Sequence, residues 1–259
     1  MTLIVPKRIG AGTAWPVQIG ALWHSAWDVE QVLQKYCKQM FAQTGHPEWP
    51  ECLMGSGTAV RIATRHFVFC CVHQIREYTP DNIAIPLSFD SKIMSATTTR
   101  ILKMTDHNRG GDTIDVAAFE FDLARYDVPN MTNEFYPIDD ARVWPTDTAQ
   151  MPFMAFGYPS GRQLFDESRI GSRCTSVPAI FDGGTSSPHL QRIKMVKPTE
   201  VDGMSGGPVF YIGGAPGDYF AGFAGMIMRG GGDYLYFMSA GFLLDLALET
   251  TIEPWTGWK

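Results

Sequence analysis

The sequence predicts an all-β protein, and three observations carry that reading. Short apolar runs recur along the chain, Gly and Pro punctuate them, and no helical pattern alternates with strands in the βαβ manner. With 26 glycines and 17 prolines in 259 residues, there are turn formers enough to separate many strands. A sandwich or a set of barrels is the expected architecture.

Taken in order, the first element is a helix over 25–43. Val29, Val32, Leu33, Tyr36 and Met40 recur at helical spacing. Ser25-Ala-Trp-Asp28 in front of them reads as a capping box with Asp in place of Glu. Strands follow at 58–62 and 67–72, joined as a hairpin through 63–66. Further strands are expected at 114–121, 153–157, 191–196, 208–212, 220–228 and 234–238. A second helix occupies 239–249, near the C-terminus. The Pro-rich polar stretch 136–152 is the expected connection between two halves, and no internal repeat is present. This divides the chain into an N-terminal extension (1–45), a first half (46–140) and a second half (141–259).

Composition narrows the function classes. Hydrophobic residues make up 45% and charged residues 19%, a globular balance with enough apolar surface to bury a core. The net charge of −6, without any Lys/Arg run, offers no footprint for nucleic acid or for an anionic membrane. No apolar stretch approaches the ~18 residues of a membrane span. The N-terminus MTLIVPKRIGAG puts its charges after the apolar residues, the reverse of a secretory signal. Five cysteines (37, 52, 70, 71 and 174) form no C-x-x-C pair, so neither a disulfide framework nor a zinc site is indicated. Histidines 24, 46, 66, 107 and 189 show no ligand spacing. No metal or cofactor is expected, and a reducing, cytoplasmic setting fits the cysteines.

Three local patterns remain. Gly55-Ser-Gly-Thr-Ala-Val60 opens a hairpin whose second strand ends in Cys70-Cys-Val-His73. Ile114-Asp-Val-Ala-Ala-Phe-Glu-Phe121 begins an apolar strand with an acid, and Gly203-Met-Ser-Gly-Gly-Pro208 sets one serine among glycines. Each has a bland reading: a strand-end histidine, a strand-start acid, a tight turn. Together they place His, Asp and Ser in that order, with separations of 42 (73 to 115) and 90 (115 to 205).

In these motifs the chain resembles the chymotrypsin/trypsin-like serine protease superfamily, over roughly residues 50–250. The resemblance implies two antiparallel six-stranded β-barrels with an N-terminal and a C-terminal helix. It implies a serine endopeptidase acting on protein or peptide substrates, with His73, Asp115 and Ser205 as a catalytic triad. A serine hydroxyl is a poor nucleophile near neutral pH, so His73 would take its proton during attack. Asp115 would fix the ring's tautomer and stabilise the imidazolium, with Asp112 as the alternative orienter. Backbone N–H groups of Gly203 and Ser205 would form the oxyanion hole.

By the same resemblance, Met228, Arg229 and Gly230 would pair with substrate by strand addition. Thr199, Glu200 and Asp202 would contribute to one wall of the primary specificity pocket, favouring a basic side chain unless Arg229 neutralises them. Two departures stand out. Gln74 and Met204 occupy positions where secreted digestive members have a cysteine and an aspartate. Met204 offers no carboxylate to a newly cut N-terminus, so this chain looks closer to intracellular bacterial and viral members, with a regulatory partner as the alternative means of control. The competing reading is a protease-fold binding or scaffold module without turnover. An α/β-hydrolase would need the order Ser, Asp, His, and Cys52 has no partner pattern as a nucleophile.

Overall fold

The computed structural model describes residues 15–48, 50–87, 115–125, 130–138, 143, 151–166, 169–187 and 189–248. Its strands are β1 (Val17–Ile19), β2 (Leu22–His24), β3 (Cys37–Gln43), β4 (Glu51–Ile62), β5 (Arg65–Cys70), β6 (Ile83–Ala84), β7 (Ala117–Phe121) and β8 (Tyr136–Pro137). The second half contributes β9 (Pro152–Gly157), β10 (Gln163–Asp166), β11 (Arg169–Ser172), β12 (Thr175–Gly184) and β13 (Leu190–Met195). It ends with β14 (Pro208–Gly213), β15 (Tyr219–Gly231) and β16 (Tyr234–Ser239). Three short α-helices, α1 (Val29–Gln34), α2 (Val72–Ile75) and α3 (Ala240–Leu248), complete the main elements.

In the second half, β14, β9, β12, β13, β16 and β15 are hydrogen-bonded in that order, and β15 pairs back to β14. This ring is a closed six-stranded barrel. The first half is a sheet in the order β6-β3-β4-β5-β7, with β8 beside β4, and is open among the described residues. Of the two six-stranded barrels expected, the described residues form one closed barrel and one half-barrel. Closure removes exposed edges, whereas an open sheet must cover its own.

Three cores follow from the alternation of side chains across the strands. Met40, Ala59, Val68, Cys70, Ala117 and Phe119 fill the first half. Phe153, Ala155, Ile193, Val209, Ile227 and Phe237 fill the barrel. A third cluster lies between them, where the Tyr36, Tyr136 and Phe210 rings meet edge-on or tilted with centroids 5.0 to 6.3 Å apart. Burial of such rings is worth about 1.5–3 kcal/mol each, so this interface holds the halves in fixed relation.

The N-terminal region departs most from expectation. The helix foreseen over 25–43 is only α1, and residues 37–43 are strand β3. The first sheet thus begins at Cys37, inside the segment assigned to an N-terminal extension. Ser25 caps no helix: it makes a turn, accepting the Asp28 N–H on its carbonyl at 2.9 Å, and Asp28 is the residue before α1. Tyr36 and Met40 fit a helical period, but a bulge between Met40 and Phe41 also lets a strand bury Met40, Phe41 and Ala42 in succession. Strand pairing with β4 outweighs local spacing. Farther upstream, β1 pairs in parallel with β15 of the barrel sheet.

The hairpin β4–β5 is tighter than expected, pairing Ile62 with Arg65 through a two-residue turn in which Ala63 adopts φ +53°. Strand β12 went unforeseen because Pro178, Gly183 and Gly184 resemble turn signals. Pro178 lies just before the pairing with β13 begins at Ala179, so its missing N–H costs no bond on that side. The C-terminal helix is confirmed as α3. Of the 136–152 connection, Tyr136–Pro137 is strand β8, Val143 bridges Phe223, and 139–142 and 144–150 lie outside the described residues.

Candidate active site

His73 stands on the one-turn helix α2, directly after β5. The helix forms because Gln74 folds back on its start, its Oε1 accepting the Cys71 N–H at 2.7 Å. Opposite, Asp115 lies two residues before β7, which pairs with β5 in antiparallel register. Its Oδ1 accepts the His73 backbone N–H at 2.8 Å, and its Oδ2 is bonded to His73 Nδ1. Binding both the backbone and the ring of one residue fixes the imidazole in position and favours the tautomer with the proton on Nδ1. Asp112 lies outside the described residues.

Ser205 sits in a turn that enters β14. Gly203 has φ +87° and Gly206 has φ +85°, the left-handed region that favours glycine. Space makes the same demand: a Cβ on Gly203 would lie 2.7 Å from both the Tyr158 carbonyl oxygen and the Ser160 nitrogen. Two carbonyls of the turn are tied down. That of Asp202 accepts the Ser160 N–H at 2.8 Å, and that of Met204 accepts the Gly207 N–H at 3.0 Å. In a trans peptide the N–H points opposite to the C=O, so these bonds turn the Gly203 and Ser205 N–H groups the other way. Among the described residues neither of those two N–H groups has an acceptor. Two adjacent free donors on an anchored turn can bind an oxyanion.

Contacts between the halves hold the two pieces together, and among the described residues the Ser205 hydroxyl bonds Met228 and not His73. The Ser205 carbonyl accepts both the Ser56 N–H at 3.3 Å and Gln74 Nε2 at 2.9 Å. Thr58 Oγ1 donates to the Gly206 carbonyl at 2.7 Å. The Ser56 hydroxyl donates to the Gly203 carbonyl at 3.0 Å and accepts the Tyr158 N–H at 2.8 Å. Ser56, Thr58, Gln74, Tyr158 and Ser160 were not among the residues singled out as functional. Only Gln74 carried a signal, as the residue standing where the resemblance puts a cysteine. Its one buried amide makes hydrogen bonds to three backbone groups.

The Ser205 hydroxyl donates to the Met228 carbonyl at 3.2 Å. Cys71, buried beneath the site, also directs its thiol at the Ile227 and Met228 carbonyls. Burial, and then the nearby Asp115 charge, push that thiol well above its ordinary range. Donor atoms of Cys71, His73 and Asp115 lie within 4.8 Å of one another. Because the imidazole and carboxylate already bind each other and the thiol holds its proton, the trio is a poor ligand set for a metal. Met204 is fully buried in the barrel core, its Cβ 2.7 Å from where a Cβ on Gly157 would stand.

Of the substrate-contact residues inferred from sequence, Met228, Arg229 and Gly230 lie on β15 beyond its last pairing with β14, at Met226. Arg229 and Gly230 pair with β16, around a bulge at Met228, which leaves the other strand edge unpaired among the described residues. Val201, between Glu200 and Asp202, packs on Gly230, since a Cβ there would come 2.8 Å from Val201 Cγ2. Of the 199–202 segment, Val201 faces this strand. Asp202 is engaged, its carboxylate accepting the Ser160 hydroxyl at 2.8 Å, and Glu200 lies over Gly161. Arg229 stacks on the Tyr236 ring at 5.2 Å.

No family model matches the sequence, and no curated protein matches it by sequence. Solved structures do. The active form of the Rv3671c protease from M. tuberculosis superposes with a TM-score of 0.51 at 14% identity, covering 95% of this chain and 94% of that one. The chain has the trypsin-like protease fold. A scabies mite inactivated protease paralogue, S-I1, superposes comparably, with a TM-score of 0.52 at 13% identity over 86% of this chain and 96% of that one. A trypsin-like fold is thus compatible with an active protease in one neighbour and with an inactivated one in the other.

Proposed function

We propose that this protein is a serine endopeptidase that cleaves peptide bonds through an acyl-enzyme. The observation that carries this reading is the doubly bonded His73–Asp115 pair, in which the carboxylate fixes both the backbone and the ring of one histidine. Ser205 Oγ attacks the scissile carbonyl as His73 Nε2 takes its proton, and Asp115 stabilises the imidazolium that results. Negative charge developing on the carbonyl oxygen is met by the Gly203 and Ser205 N–H groups. His73 then returns the proton to the leaving amine, and water repeats the sequence to release the acid. Substrate adds as a strand to the free edge at 228–230, with residues 199–202 beside its specificity side chain. The turn carries its free donors with Met204 buried and no carboxylate at that position, so activity requires no newly cut N-terminus.

A second reading has its own support. The Ser205 hydroxyl is bonded to the Met228 carbonyl, a contact a binding module without turnover could keep permanently. A fluorophosphonate probe separates the two. Stoichiometric labelling at Ser205, lost in His73→Ala, supports the peptidase. Absence of labelling in folded protein supports the module.

A further inference from the structure

Strand β3 of the first sheet runs past the entry to β12 of the barrel. Gln39 Nε2 donates to the Ser172 carbonyl there at 3.0 Å. Two residues back from Gln39 is Cys37, and two residues on from Ser172 is Cys174. Burial, and then the neighbouring Cys174 thiol, push the Cys37 thiol well above its ordinary range. Cys37 belongs to the core between the halves, and Cys174 packs against it. Tyr158 completes the group, its hydroxyl donating to the Cys37 carbonyl at 3.2 Å.

The other cysteines have no such arrangement. Cys70 and Cys71 are consecutive in an extended segment, so their side chains take opposite faces. Cys70 lies in the first-half core and Cys71 in the core between the halves. Cys52 is occupied with Met54 and the Tyr78 hydroxyl. All five thiols are free.

We propose that Cys37 and Cys174 are a disulfide-forming pair that bridges the first sheet and the barrel when the protein meets a small disulfide such as oxidised glutathione. Cys174 is half-buried and Cys37 is 1% exposed, so reaction begins at Cys174. Its thiolate attacks one sulfur of glutathione disulfide and expels one glutathione. The Cys37 sulfur then attacks the Cys174 sulfur of the mixed disulfide, and the second glutathione leaves with the Cys37 proton. Two protein thiols and one glutathione disulfide become one protein disulfide and two glutathione thiols. The bridge closes a loop between positions 37 and 174, a long span whose constraint acts mainly on the unfolded chain. This inference does not depend on Ser205 turning over.

The test incubates the full chain in glutathione buffers from fully reduced to fully oxidised, blocks remaining thiols with N-ethylmaleimide and maps linked peptides. Expected is the loss of two thiols, a single Cys37–Cys174 peptide, reversal by dithiothreitol and a Tm higher by about 5 °C. Cys174→Ser, at the half-buried position, should lose the bridge and the Tm shift, and Cys52→Ser should keep both. Five intact thiols in the oxidised buffer, a bridge to another cysteine, or a glutathione adduct that persists on Cys174 would each overturn the proposal.

Discussion

The two halves hold their parts of the site by different means. On the first, open sheet, the position of His73 depends on side chains: Asp115 grips its ring and backbone, and Gln74 caps its short helix. On the closed barrel, Ser205 and the two free N–H donors are held by backbone conformation, through glycines and carbonyls tied into the barrel. A side-chain device tolerates loss of one partner with its scaffold intact. A backbone device fails when any bulk is added to the turn. The halves should therefore respond differently to substitution.

The largest effect is expected at the nucleophile. Ser205→Ala should lower kcat for a peptide substrate by about 10⁴-fold or more, with unchanged urea unfolding. His73→Ala should match it, and the double variant should be no worse, because the groups act as a unit. Persisting turnover in the purified single variants would remove Ser205 from the reaction. Next is Asp115→Asn, expected to cost about 10⁴-fold in kcat through the wrong tautomer, while Asp112→Asn leaves kcat unchanged. The opposite pattern would transfer the orienting role to Asp112.

Gly203→Ala probes the backbone device. Strain at φ +87° and collision with the Tyr158 carbonyl should misplace one oxyanion donor, costing about 10²–10³-fold in kcat with little change in KM. Wild-type kcat in that variant would mean the Gly203 N–H plays no part. Gln74→Ala sharpens the contrast from the other side. It leaves the buried Cys71 N–H without its acceptor, so denaturant titration should find a loss of about 1–3 kcal/mol. Its effect on kcat should be smaller than that of Gly203→Ala. The smallest effect is at Arg229→Ala, a surface cation stacked on Tyr236, expected within about 0.5 kcal/mol of wild-type stability.

The same contrast explains what could be read from the sequence. The local settings of His73, Asp115 and Ser205 were legible because each lies in a short run whose residue types state its backbone geometry. The barrel strands from β13 to β16 were legible because apolar runs and Gly/Pro turns bound them. Strand β3 was not, since Tyr36 and Met40 satisfy a helical period and no breaker separates it from α1. Ser56 and Thr58 were silent for a different reason. Their functions exist only in contacts to residues more than a hundred positions away, which no local pattern encodes.

The Ser56 hydroxyl spans 102 positions to Tyr158 and 147 to Gly203. A ribosome must therefore have delivered the chain beyond Gly203 before this contact can form. Non-local closure of this kind comes late in folding, after each half has found its own strands. Partly synthesised or proteolytically truncated chains should present a nucleophile turn without its clamp. Under the endopeptidase reading, cleaving power would arrive as the last product of folding, with no propeptide needed to delay it. Pulse-labelling of refolding protein with the fluorophosphonate probe should then lag behind the recovery of β-sheet circular dichroism.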